Sequence, residues 1–289
     1  VTDANSDVFQ ARTLITASDV LPQLDLGPIA TVGQHFKLTR SLNVIDPGDD
    51  NDWLITIDYG DGTDAVSQAL VTRSYSLDHV YTRQGVFTVT GSVTNSEGQH
   101  TDTMEVNVVA VPPSVTVTID EPLDEGATAT ATVTITDPQA DNDQTWWDLA
   151  SLKRWTFEAS WSDGTSESFL PDSFAGNQAT ATLTHPLADG DGDDAAITIR
   201  VVDRDGDEAV PAIDSVVLTN LDPVIQRVTL PDTVEEGILF SAAGWATDPG
   251  RDSMTYLWDF GDGSAPQSGQ SLQYAYGDDG TFHVSLDVT

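Results

Sequence analysis

The 289-residue sequence has no cysteine, so neither disulfides nor thiolate metal sites can hold it together. It has only eleven basic residues, which leaves little to meet a phosphate backbone and excludes nucleic acid as a partner. No run of eighteen apolar residues occurs, so no membrane-spanning helix is predicted. No signal peptide is visible. The chain opens on VTDANSD, which reads as mid-domain sequence, so any targeting segment is expected outside it. Catalytic signatures are missing too. The five histidines, His35, His79, His100, His185 and His283, stand in no HExxH or Ser-His-Asp order, and no glycine-rich phosphate loop is present. Acidic pairs abound, but glycosidase-type carboxylates also need a cleft. The sequence therefore reads as non-catalytic.

What it has in excess is aspartate. Of 47 acidic residues 38 are Asp and 9 are Glu, and the formal net charge is −36. A merely solvated acidic surface would use both types. Asp fits turns and oxygen-ligand cation sites, where a short carboxylate reaches a metal from a loop. Adaptation to a saline medium is a compatible reading of the same charge. Alternating strands rich in Val, Ile, Thr, Trp and Phe exclude disorder.

One pattern recurs three times: IDYGDGT at Ile57–Thr63, ASWSDGT at Ala159–Thr165 and LWDFGDGS at Leu257–Ser264. Each alternates apolar and polar residues and then turns on Asp-Gly, a half-buried strand entering a tight hairpin. Asp61, Asp163 and Asp262 are spaced by 102 and 99 residues, the period of a domain repeat. Three units follow: 27–111, 112–220 and 221–289. Each shows short strands separated by Gly, Asp and Pro, which predicts all-β sandwiches. Short proline-bearing junctions at Val108–Ser114 and Leu218–Pro223 predict an extended rod.

The ends do not match these units. VTDANSD at Val1–Asp7 parallels VTNSEGQ at Val93–Gln99 and VVDRDGD at Val201–Asp207. Residues 1–26 thus read as the tail of a preceding repeat, with Phe9–Ile15 as its last strand, while the third unit lacks that strand. Either the chain is a window from a longer array, or the N-terminal strand of one copy completes the third unit of the next and builds a fibre.

These residues together resemble the PKD domain, an immunoglobulin-like module. Its Trp-Asp-Phe-Gly-Asp-Gly strand and turn is matched by WDFGDG at Trp258–Gly263 and DYGDG at Asp58–Gly62. Its His-x-Tyr strand is matched by HVY at His79–Tyr81 and YAY at Tyr274–Tyr276, and its Gly-x-Tyr/Phe-x-Val strand by segments at Gly85 and Gly280. The second unit departs furthest. It keeps SDGT at Ser162–Thr165 and His185 but carries Trp161 at the turn and AAITIRVV at Ala195–Val202. The resemblance implies face-to-face sheets and a spacer, adhesion or partner-binding role in secreted or surface proteins.

Each unit has an acidic loop before its Asp-Gly turn: DPGDDND at Asp46–Asp52, DPQADND at Asp137–Asp143 and DPGRD at Asp248–Asp252. Two carboxylates 4 Å apart repel by roughly 4 kcal/mol at an intermediate dielectric, and a bound divalent cation resolves that. The equivalent loop of calcium-binding PKD-like domains resembles these. Asp46, Asp49, Asp50, Asp137, Asp141, Asp143, Asp248 and Asp252 are therefore the first candidate calcium ligands, against a reading as solvated Asp-Pro turns. A second candidate cluster is Asp203, Asp205 and Asp207, expected at the junction with the third unit beside Asn220 and Asp222. ADGDGDDA at Ala188–Ala195 fails the helix-loop-helix calcium pattern and reads as a hairpin turn.

The second unit carries an insertion. Asp137 to Asp163 spans 26 residues, against 15 and 14 for the corresponding intervals. QTWWDLASLKRW at Gln144–Trp155 supplies it, and Trp146, Trp147 and Trp155 are candidate contacts for sugar or protein, unless they pack on their own sheet. The combined reading is three tandem immunoglobulin-like units of an extracellular, prokaryotic-type protein, stiffened by calcium. Neighbouring repeats or further copies are the expected partners. Two alternatives stay open: an adhesin working through the insertion, and the accessory region of a secreted hydrolase.

Overall fold

The computed structural model describes residues 10–18, 20–48, 52–140, 147, 152–187 and 194–289. The chain forms two compact units, Val1–Val111 and Pro112–Thr289, and the second holds two sandwiches in succession.

The first unit is one sandwich. One sheet orders β1 (Gln23–Leu24), β3 (Lys37–Ile45) and β6 (Ser74–Val80). The other orders β2 (Ala30–Gly33), β8 (Gln99–Val109), β7 (Gly85–Thr94), β4 (Trp53–Asp58) and β5 (Val66–Leu70). The alternation seen in sequence is what closes it. On β4, Trp53, Ile55 and Ile57 point inward, and on β3, Leu38, Leu42 and Val44 do. Burying such side chains is worth roughly 1.5–3 kcal/mol each, which offsets the cost of ordering the strands. The first strand divides between the sheets. β1 pairs antiparallel with β3, whereas β2 crosses over and pairs parallel with β8.

The middle repeat repeats this plan. One sheet orders β14 (Ser173–Ala175), β15 (Gln178–Pro186), β11 (Thr128–Thr136) and β9 (Ser114–Ile119). The other orders β10 (Leu123–Asp124), β17 (Ala212–Thr219), β16 (Asp194–Val202), β12 (Thr156–Trp161) and β13 (Ser166–Ser168). Asp102 and Asp214 mark the same crossover in both repeats. Their carboxylates accept from the backbone N–H of Leu26 and Ile119, where the first strand leaves its sheet, each at 2.8 Å. The crossing residue would otherwise bury an unpaired donor.

The third repeat has two three-stranded sheets: β18 (Val224–Thr229), β19 (Phe240–Thr247) and β22 (Ser271–Tyr274), then β21 (Gln267–Ser268), β20 (Tyr256–Asp259) and β23 (Ser285–Val288). Its core is small and aromatic, built on Trp258, Phe260, Tyr274 and Tyr276. Among the described residues no strand flanks the outer edge of β23. A groove of about 420 Å³ reaches Val284, just before β23, and is lined by Leu230, Phe240 and Phe282 together with the carboxylates of Asp232, Glu236, Asp278 and Asp279. The strand expected over Phe9–Ile15 does not form across its described residues 10–15, where Leu14 and Ile15 are 92% and 84% exposed. Among the described residues no strand lies beside these, and a lone strand is not stable in water.

Candidate functional site

The repeated Asp-Gly turn is a clamp. Asp61 accepts at Oδ1 from the backbone N–H and hydroxyl of Thr63, and its Oδ2 lies 2.8 Å from His79 Nε2. Asp163 does the same with Thr165 and His185, also at 2.8 Å. In the third repeat Tyr274 replaces the histidine and donates to Asp262 at 2.6 Å, and Ser264 replaces the threonine. Burial works to raise the Asp61 carboxyl, but the bonds from Thr63 and His79 outweigh it and hold it at about 2. Asp163 and Asp262 are likewise pulled down to about 2, the first mainly by the Thr165 hydroxyl and the second mainly by Tyr274. The clamping ring also stacks on the aromatic residue two before the Asp: Tyr59–His79 at 3.9 Å, Trp161–His185 at 4.6 Å and Phe260–Tyr274 at 3.7 Å. The Asp163–His185–Thr165 contact superficially suggests a relay. Yet a single ring nitrogen faces both partners and Thr165 donates to the aspartate, so the hydroxyl is not activated by a base.

Apart from an exposed group of Glu236, Asp278 and Asp279 in the third repeat, the chain buries several acidic residues of its loops. In the middle repeat, β12 starts at Thr156 opposite Val202, the last residue of β16. That pairing sets the residues just before β12 beside the loop after β16, where Arg154 donates to Arg204 O. Asp137 and Asp203 are 0% and 1% exposed, and Asp207 is also buried. Asp203 Oδ1 caps the loop by accepting from the N–H of Asp205 at 2.8 Å and of Asp207 at 2.9 Å. Its Oδ2 is buried and has no hydrogen-bond partner. Burial raises this carboxyl to about 6, and the carboxylates of Asp207 and Asp137 add to the effect against the two backbone bonds. This corrects the expectation that Asp203, Asp205 and Asp207 sit at the junction with the third repeat. The eight residues of β17 intervene, about 25 Å of extended chain.

The junction of the second and third repeats instead uses a residue not singled out in the sequence. Glu125 follows β10, which pairs with the end of β17, so the chain places it where the third repeat begins. It is 4% exposed, and its Oε1 accepts from the N–H of Leu221 at 2.7 Å. One carboxylate oxygen each from Glu125, Asp248 and Asp252 lies within 4.8 Å of the others. Asp248 Oδ1 also accepts from the N–H of Asp252 at 3.0 Å. A Cβ on Gly126 would stand 2.5 Å from Pro249 O, so the two repeats approach closely here. Asp222, predicted to take part, is exposed and outside this group. A lone Glu after a two-residue strand gave no sequence signal; only the parallel pairing carries it there.

In the first repeat Asp46 is buried, and its oxygens accept from Gly48 N and, at 2.9 Å, from Trp53 Nε1. Asn95 stands where the second repeat has Asp203 and caps its loop in the same manner. Asn95 Nδ2 is buried there without a hydrogen-bond partner. Asp49, Asp50, Asp141, Asp143 and Trp146 lie outside the described residues. Trp155 is a correction to the predicted contact surface. It holds the place of Trp53, eight residues before the turn aspartate, and is 7% exposed in the core, stacked on Phe157. Trp147 is half-buried beside Trp155 and Phe174 and donates its indole N–H to Gly176 O. Burial leaves Trp155 no face to offer a sugar or a protein.

The strand order defines tandem immunoglobulin-like β-sandwiches in which the turn clamp is repeated in all three units. The family model of the PKD domain matches residues 19–109 and 220–289, more than half of the sequence, and the chain belongs to that family. PKD domains are generally non-catalytic modules, and they typically occur in extracellular or surface proteins. No curated protein matches the chain. Among solved structures, the I67–I69 I-band fragment of titin aligns over 90% of each chain at 15% identity and TM-score 0.33. The D1–D4 ectodomain fragment of ICAM-5 aligns over 93% of this chain and 74% of its own, at 14% identity and TM-score 0.36. The titin Z1Z2 domains in complex with telethonin align over 70% and 98%, at 13% identity and TM-score 0.33. No helix among the described residues is long and apolar enough to cross a membrane.

Proposed function

We propose that this chain is a structural, spacer or adhesion-type repeat segment of an extracellular surface or secreted protein, and that calcium stiffens it. The observation that carries the reading is the meeting of Glu125 with Asp248 and Asp252, carboxylates from two consecutive repeats, at their junction. The donor set is oxygen only, which suits a hard cation, and calcium takes six to eight such ligands in flexible geometry. A cation there would tie two repeats at the point where their relative motion must hinge. The test is thermal unfolding of the whole chain with excess calcium chloride and then with chelator. The midpoint should rise with calcium, and less so when Asp248 and Asp252 are both changed to Asn. No calcium-dependent shift would sink the reading and leave the charge as a solvated, salt-adapted surface.

The groove beside β23 supports a second reading. The apolar side chains Leu230, Phe240 and Phe282 within its mixed lining, and the unflanked edge of β23, suit an added β-strand, from a neighbouring repeat or from a second copy, and repeated addition would make a fibre. Light scattering that shows no concentration-dependent growth would argue against the second copy.

A further inference from the structure

We infer that residues 10–16 of a second copy add as a strand beside β23 in the third repeat, with Arg12 seated among the carboxylates of the groove there. The inference rests on the strand-addition reading above and names its occupant, its register and the side chain that selects it. It starts from two exposed surfaces. Residues 10–16, QARTLIT, form no strand and hold Leu14 and Ile15 almost wholly in solvent. In the third repeat Val228 is 45% exposed, whereas Val117, its counterpart in the second, is 8%. Val117 and Val228 face Val133 and Gly244, each four residues beyond the partner of the clamp ring, Ala129 or Phe240. In the second repeat β9 packs against β17, the strand that flanks β16. No described strand flanks β23.

The sequence sets the register. The parallel of Val1–Asp7 with Val93–Gln99 continues as Gln10 with Asp102, Arg12 with Met104 and Leu14 with Val106. In the first repeat those three residues of β8 lie opposite Gly91, Val89 and Phe87 of β7. The matching residues of the third repeat are Leu286, Val284 and Phe282. Leu286 pairs with Trp258 as Gly91 pairs with Ile57, each four residues before its turn aspartate. Leu14 therefore falls opposite Phe282 and Arg12 opposite Val284, two of the side chains that line the groove. Gln10 falls where Asp102 and Asp214 accept the N–H of the crossover residue, and its amide oxygen can accept from Leu230 in the same way.

Charge selects this occupant. The groove is lined by Asp232, Glu236, Asp278 and Asp279, which would repel an acidic strand. In a chain with 47 acidic residues, the segment 10–16 has none and carries one arginine. The first repeat shows that the fold accommodates a guanidinium at this place. Arg40 of β3 donates to Leu26 O at 2.6 Å and Pro28 O at 2.8 Å, and it touches Met104 Sδ. The third repeat has the buried Ala242 where the first has Arg40, each two residues beyond the partner of the clamp ring, Phe240 or Leu38. Arg12, standing in place of Met104, supplies from the incoming strand the guanidinium that Arg40 supplies from β3. Its planar fork of donors suits the carboxylate oxygens of Asp232 and Glu236 on the groove wall.

The experiment uses the whole chain in chelator, so that calcium at the junction plays no part. Light scattering should show mass rising with concentration. Arg12→Glu and Leu14→Asp should each weaken that association by at least about tenfold. Neither should move the thermal midpoint of the dilute chain, since both side chains are exposed. Asp232→Lys with Glu236→Lys should weaken association as well, and adding Arg12→Glu to that chain should restore it. The chain has no cysteine, so the register can be read by mixing Leu14→Cys in one copy with Phe282→Cys in another. A disulfide should form between these two and not between Ile15→Cys and Phe282→Cys. Growth that ignores Arg12→Glu and Leu14→Asp, or a disulfide that favours Ile15→Cys, would overturn this inference while strand addition by another segment stands. No growth at any concentration would overturn strand addition from a second copy as well.

Discussion

Changing His79 to Ala removes the clamp of the first repeat while leaving the turn sequence untouched. The side chain lies 2.8 Å from Asp61 and 3.9 Å, ring to ring, from Tyr59. A hydrogen bond to a charged group contributes roughly 1.5–3 kcal/mol, and a stacked aromatic pair roughly 0.5–1.5 kcal/mol. The expected loss is about 2–4 kcal/mol, confined to the first repeat. A cycle with Asp61→Asn should show about 1–2 kcal/mol of coupling, because each substitution breaks the shared bond. The pH dependence follows from the same group. The folded carboxyl at about 2 lies below its unfolded value, so its contribution is fully present above about pH 4 and is lost as pH falls toward 2. That loss is about 1–2 kcal/mol after allowance for solvent screening, and it should shrink in His79→Ala. Native-state hydrogen exchange resolved by peptide is the assay, with amides of β4, β6 and β7 as reporters and the second repeat as internal control. A change below about 0.5 kcal/mol, or one shared equally by the second repeat, would refute the clamp.

Two further predictions concern positions that the repeats treat differently. Gly60 and Gly261 have φ of 76° and 73°, and a Cβ at either would stand 2.3 Å from a backbone oxygen, that of Thr88 or His283. Alanine at either should cost more than the roughly 1–2 kcal/mol of left-handed strain alone, measurable by urea unfolding. At Ser162, the matching position in the second repeat, Ala should cost much less. Trp53→Phe should destabilise its repeat by about 1–3 kcal/mol by stranding Asp46, whereas Trp155→Phe removes an indole N–H that has no acceptor and should cost less. Equal losses in the two hydrogen-exchange experiments would count against that account.

The long strands were legible because their burial alternates. β11, β12 and β16 each bury every second residue. The short edge strands were not. β5 buries only Leu70, and β13 buries nothing, so neither has a pattern to find. β2 and β10 are held by parallel backbone pairing, to which side-chain period is blind. The same limit hid the carboxylate sites. Asp137 and Asp203 were each legible as loop acids, but that both are buried was not. Glu125 depends on the pairing of Asp124 with Thr219. Composition flagged the chemistry; the strand register decided its address.

The parallel pairing of β2 with β8 has a mechanical side. The chain enters the first repeat ahead of β2 and leaves it after β8. Tension on the two ends therefore drags these strands past one another along their length. Their four paired positions, Ala30–Gly33 against Val106–Val109, are strained together and must give way together. An antiparallel pair pulled apart from one end would instead open rung by rung. In the second repeat only two positions, Leu123 and Asp124, are paired in this way. Stretched in series, the repeats would not yield alike, and the one with the shorter seam would lengthen at the smaller force.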